Sequence, residues 1–396
     1  MRVRPLILGV VALLVLLIGC GSGGTTVGAD EGVNAPGTCN EQFDGGIQID
    51  QPVRLANGPA ACDFLINGLI QVNAALLIEP GTRVQFGPGG GISVKGESLL
   101  AEGTAQAPIV LEGSRDVPGS WIGIEVLSAS DRVSLDHVLI RNAGQTGTLI
   151  TADAGLKVAN ARVSFTNSEI ARSAQRGAVF ERTAEIVAFS SNRFSANQQV
   201  PLVVQSSQVP QLDPATSFDF DGSPSDVRAI VVDDARLNDQ AERVWPAVAA
   251  PYRLSALTVS SGAIVISAGV QIEFSPAGVL STRDSGRLDL VGTADNPIRV
   301  TGVDSSPGGY SGFRFFGSIA AKLENVQIEG GGGRQAGGSG TIGVGSTSSL
   351  SLENVSVQGG AGWAVSCNQG AQLTLRGSNT FSDNPLGEVQ PTCSVQ

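Results

Sequence analysis

The chain has 396 residues, 41% of them hydrophobic but only 15% charged, and 52 of them glycine. This is enough apolar material to bury a core, and it excludes disorder throughout; the low charge and high glycine content exclude long amphipathic helices and describe a turn-rich β protein. The formal charge is −11, lysine occurs only at Lys95, Lys157 and Lys322, and no run of four basic residues exists, which excludes nucleic acid and an electrostatic lipid patch as partners.

At the N-terminus, Arg2 and Arg4 precede a 13-residue apolar run from Leu6 to Ile18 and then small residues, the layout of a secretory signal and too short to span a bilayer. Leu17-Ile18-Gly19-Cys20 resembles the lipobox of bacterial lipoproteins, which implies a signal peptide over 1–19 and lipidation of Cys20. The expected location is exported and lipid-anchored to the envelope; Gly21 after the cysteine, rather than Asp, implies the outer membrane or cell surface. The alternative is an ordinary signal cut nearby. Residues 20–38 lack hydrophobic periodicity and read as a flexible tether with a reach of about 25 Å.

Cys39, Cys62, Cys367 and Cys393 fall in two close pairs at the two ends. In an oxidising compartment Cys39–Cys62 and Cys367–Cys393 are the natural disulfides, each worth about 3 kcal/mol in the chain-entropy model. The first is expected to cover the open end of the first coil, the second to stiffen the last. No CxxC occurs and His137 is the only histidine, so zinc is not indicated.

From Leu76 onward the chain repeats itself. LLIEPGTRVQF (76–86) matches IVISAGVQIEF (264–274), and GTAQAPIVLEG (103–113) matches GTADNPIRVTG (292–302). Trp121 to Val126 matches Tyr310 to Phe315, LDHVLI (135–140) matches LENVQI (323–328), VSFTNSEI (163–170) matches LSLENVSV (350–357), and SSNRFSAN (190–197) matches GSNTFSDN (377–384). The offset stays at 187 to 189 residues, so the sequence predicts two copies, over 39–200 and 252–396. Within each, short triplets such as Val84–Phe86, Ile92–Val94, Ile109–Leu111 and Val163–Phe165 alternate inward and outward residues between Gly, Asn, Asp and Ser. Strands this short gain a shared interior only by stacking as successive coils. His137, Asn167, Asn325 and Asn354 occupy one recurring slot, where a tight bend needs a positive φ. Residues 201–251, with six prolines and seven aspartates, read as a junction containing an extended strand from Val227 to Val232.

These motifs (IEPGTRVQF, GTxxxPIxL, Trp-x-Gly-Ile and LDHVxI) resemble bacterial right-handed parallel β-helix repeat proteins of the pectate-lyase-like superfamily, over roughly 68–200 and 252–390. The expected fold class is therefore all-β, a right-handed parallel β-helix. The resemblance implies fold more than activity.

Enzymes of this fold that act on polysaccharides align acids, and in lyases an Arg or Lys base, between coils. Glu324 and Glu353 are the best such pair, both just after an inward Leu, although Asp136 and Thr166 stand at the matching positions and no matched Arg or Lys accompanies them. A solvated charged face is the competing explanation. Asp219, Asp221 and Asp226 could offer oxygens to Ca²⁺, but their spacing is not that of an EF-hand and solvation alone accounts for them; no other cofactor is indicated. Trp121 and Tyr310 at matched positions either stack on sugar rings or cap the interior edge of a coil. The expectation is a non-catalytic envelope rod that binds a glycan or another envelope protein; the alternative is a polysaccharide lyase or glycosidase.

Overall fold

The computed structural model describes residues 39–146, 153–221, 227–304, 306–333 and 340–396. Every strand pairing in it is parallel, and in the first half strands of three to six residues bond to strands one turn before or after them. Three faces result. Face A runs through eight strands from Glu41–Phe43 to Ser217–Asp219, and face C through six from Val53–Leu55 to Glu185–Ser190. Face B starts at Ile47–Ile49 and continues past Ile230–Val232 into the second half. The architecture is a parallel β-helix, whose parallel crossovers take the right hand in about 98% of known cases.

Inward residues form columns along the axis. On face A, Val84, Leu111, Ile140, Ile170 and Phe194 are successive register partners, none more than 1% exposed. Fully burying each such side chain contributes about 1.5–3 kcal/mol. One apolar core extends from Ile49 to Leu373 without a break.

Bends between faces explain the Asn slot. His137, Asn167, Asn325 and Asn354 have φ of 51°, 49°, 50° and 53°. Their Cβ penalty is offset by short polar side chains: Asn167 donates from Nδ2 to Asp136 Oδ1 at 2.8 Å, and Asn325 to the Gly292 carbonyl at 3.2 Å. The matched segments 190–197 and 377–384 supply further corner asparagines. Asn192 and Asn379 each accept from a backbone N–H of the previous coil (Ser168 at 3.1 Å, Val355 at 2.9 Å) and donate to a carbonyl there. Asn197 and Asn384 do the same at the next corner.

The described residues of 201–251 are part of the helix. Leu202, Val204, Ile230, Val232, Leu237 and Trp245 carry the core through them, and Leu202–Val204 and Ile230–Val232 continue face B. The strand expected from Val227 begins only at Ile230, because the Ala229 N–H bonds to the Val227 carbonyl and closes a turn. Three long strands follow, Arg236–Trp245, Tyr252–Ile266 and Gln271–Thr282, which turn corners without ending. Gly262, at φ 71°, lets the second do so; a Cβ there would lie 2.4 Å from the Ala241 carbonyl.

This passage shifts the phase of the coil. Arg83–Phe86 lies on face A, yet its sequence match 271–274 stacks on 252–254, which stacks on Ile230–Val232 of face B. Strands matched in sequence therefore sit one face, a third of a turn, apart around the axis.

Both expected disulfides are formed, with Cα–Cα distances of 4.5 Å (Cys39–Cys62) and 4.9 Å (Cys367–Cys393). Each staples one coil to the next. The 39–62 segment, expected to cover the first coil, is that coil itself: its strands Glu41–Phe43, Ile47–Ile49 and Val53–Leu55 pair on one side only among the described residues.

Reduction should lower the urea midpoint by a margin equivalent to several kcal/mol, and an unchanged midpoint would contradict the staple role. Asn167→Ala should cost about 1–2 kcal/mol through the forced left-handed bend, and Asn167→Gly distinctly less, as read from paired denaturation curves.

Candidate functional site

A shallow concavity opens on the second-half strands matched to face A. Its wall is the loop after Gly292, where Thr293 Oγ1 accepts the Asn296 N–H at 3.1 Å; Thr104 and Ala107 build the same loop in the first half at 3.0 Å. The floor is made by Val326–Glu329, Ser356–Gln358 and Thr380–Ser382, successive register partners. Between them lies a shallow trough of about 130 Å³, lined by Thr293, Asn325, Gln327, Asn354, Ser356 and Thr380 among others, with no titratable side chain on its surface. Gln327 accepts from Arg299 at 2.9 Å through Oε1, and Asn354 accepts the Ser378 N–H at 3.0 Å through Oδ1. Both amides thus keep their NH₂ donors, beside the hydroxyls of Ser356 and Thr380.

Glu324 and Glu353 do stand in adjacent coils, as direct register partners on the neighbouring face, and Arg376 follows Glu353 in the next coil. Parallel strands lie about 4.8 Å apart, so the backbones that carry the two carboxyl groups are one coil spacing from each other. Lys322 Nζ is 3.6 Å from Glu324, the lysine exposed and the glutamate half-buried. On the same face, Asp289 lies against Arg287 Nε at 3.3 Å and accepts the Lys322 N–H at 3.1 Å; its burial pushes its carboxyl above the usual range.

The remaining candidates serve the scaffold. Asp219 uses one oxygen for the Asp221 N–H at 3.0 Å and the other for Arg193 at 2.9 Å, contacts that hold its carboxyl below the usual range; Asp226 and Cys20 lie outside the described residues. His137 Nδ1 is 3.1 Å from Asp136. Against the opposing effect of partial burial, hydrogen bonds from Asn167 and Thr166 and the imidazole keep the Asp136 carboxyl low.

Trp121 and Tyr310 are fully buried, which removes them as sugar platforms. They stack on Phe86 and Phe274 at 4.4 and 4.9 Å, and donate to the Arg141 and Glu329 carbonyls, each at 2.7 Å. Position 125 and its match 314 carry another feature that local periodicity hides. Both point outward from their strands, yet Glu125 and Arg314 are only 1% exposed. Glu125 pairs in register with Lys157; Arg314 lies against Gly343, and burial lowers its guanidinium to about 10.

No family model, no curated protein and no solved structure matches the chain.

Because its folded-state pKa is raised, Asp289 favours the fold when protonated and opposes it once ionised, as pH rises through the unfolded value near 3.8. Asp289→Asn should therefore raise Tm at pH 7 and lose that gain below about pH 3.8; a Tm that falls at pH 7 would show that the ion pair with Arg287 outweighs desolvation.

Proposed function

We propose that the chain is a non-catalytic rod, tethered to the cell envelope through lipidated Cys20, which holds an uncharged glycan in the second-half trough. The observation that carries this reading is the lining: amide donors and hydroxyls in an open groove, without a charge to attract an ionic ligand. Such groups exchange hydrogen bonds with sugar hydroxyls at little desolvation cost, and a repeat of about 4.8 Å along the axis offers polar contacts at successive coils to a chain laid across them. The anchor rests on the lipobox resemblance, and the outer membrane or cell surface on Gly21.

A second reading, a polysaccharide lyase or glycosidase, draws on the Glu324, Glu353 and Arg376 row. The one-coil spacing of the two glutamate backbones is near the 5–5.5 Å carboxyl separation of retaining glycosidases. Partial exposure of the Lys322–Glu324 pair favours the binding reading, since catalytic acids are normally set in clefts that exclude water.

Cys20→Ser should move the protein from the membrane fraction to the soluble fraction on cell fractionation; retention at the membrane would refute the anchor. In affinity electrophoresis against neutral polysaccharides, a neutral glucan should retard the protein, and Gln327→Ala with Ser356→Arg should reduce that retardation at least tenfold. Release of reducing ends or unsaturated products from the same panel, lost in Glu353→Gln, would overturn the binding reading in favour of the enzyme.

A further inference from the structure

The chain has three tryptophans, and they are set differently. Trp121 and Trp245 are fully buried in the core, whereas Trp363, the first residue of the strand Trp363–Cys367, is half-buried and lies outside it. The indole Nε1 of Trp121 donates to the Arg141 carbonyl, while that of Trp363 has no acceptor among the described residues. The Trp363 ring rests on the next coil. Gly387 is its register partner there, and a Cβ at that position would lie 2.7 Å from Cζ3, with Cε3 and Cη2 at 3.3 and 3.5 Å. Any side chain at 387 would therefore displace the indole. The matching positions of the first half, 187 residues earlier, hold Arg176 and Val200, and Arg176 is engaged by Asp153. The indole and its glycine thus belong to the half that carries the uncharged trough.

Trough and indole border the same face. Asn354 forms the corner before the strand Ser356–Gln358, and the chain reaches Trp363 through the corner after it, where Gly359 has φ 67°. The strand between these corners spans about 10 Å. The outward residues on it and on the strand stacked upon it, Ser356, Gln358, Thr380 and Ser382, are all uncharged. Asp383, at the end of that row, accepts the Gln358 amide at 3.2 Å.

We propose that Trp363 is a second contact for the glycan of the second-half trough, and that this glycan is an extended β-linked chain of pyranoses with equatorial hydroxyls. It lies obliquely, from Gln327 across Ser356 and Ser382 to the indole. The inference rests on the reading given above for that trough. Such a sugar carries its hydroxyls around the rim, where the amides and hydroxyls of the trough meet them, and axial C–H bonds on both flat faces. The negative π face of an indole attracts those C–H groups and takes them out of water, and Nε1 is left as a donor at the edge. A chain held in the trough must cross the whole face to reach the ring, so a disaccharide bound there stops short of it.

The test uses the full chain in detergent, with cellobiose and cellohexaose as probes. Because the other two tryptophans are buried, iodide should quench the emission of Trp363 alone, and Trp363→Phe should abolish that quenching. Cellohexaose should shield the indole from iodide and shift its emission to shorter wavelength, whereas cellobiose should do neither. By titration calorimetry, Trp363→Ala should weaken cellohexaose binding about fivefold and leave cellobiose binding unchanged. Gln327→Ala with Ser356→Arg should weaken both. Cellohexaose bound with iodide quenching unchanged would overturn the role of Trp363 and leave the trough reading in place, whatever Trp363→Ala does to Tm. Retardation by a neutral glucan without binding of either oligosaccharide would likewise overturn this inference alone. Equal loss of both sugars in Trp363→Ala at wild-type Tm would overturn the oblique path to the indole. Absence of binding to the oligosaccharides and to neutral glucan alike would refute both readings together.

Discussion

Everything in this molecule is subordinate to the parallel hydrogen-bond ladder between successive coils. Each strand satisfies its backbone groups on the strand one turn away, at a spacing fixed by the peptide unit itself. Coil after coil must therefore have nearly the same cross-section. That demand selects the inward columns, such as Val84 to Phe194, and leaves outward positions free to vary. It also forces corners tight enough that His137, Asn167, Asn325 and Asn354 adopt left-handed conformations.

What the ladder imposes locally was readable from the amino-acid sequence. Period-two triplets, the bend slot and the paired cysteines all depend on neighbours within one coil length. The phase shift across 201–251 was not readable: it arises from the number of corners the chain turns there, and long strands such as Tyr252–Ile266 pass corners that carry no punctuation. Outward residues that are nevertheless buried, Glu125 and Arg314, defeat alternation for a similar reason, since what covers an outer face comes from elsewhere in the chain. For Trp121 and Tyr310 both roles were open at the outset. Burial and the stacking on Phe86 and Phe274 decide for the interior.

The candidate sites were legible only in part. The pairing of Glu324 with Glu353 follows from one-coil spacing and is observed, whereas Arg376 beside them had no counterpart in the first half to point it out. Gln327, Ser356 and Thr380 carried no signal at all, because neutral polar residues on an outward column look like ordinary surface until a flanking loop makes them the floor of a groove. The matched loops at Thr104 and Thr293 show that this wall is common to both halves, so what distinguishes the second-half groove floor lies in its outward columns.

The junction also acts as an angular setting. Inserting or deleting a whole coil there would move everything beyond it along the axis and leave its bearing unchanged. Adding a single corner would swing the entire distal segment to a new compass direction while every local contact within it stayed as it was. Orientation of the second-half faces relative to those of the first half is thus encoded in a count of bends over some fifty residues, independently of the side chains those faces display.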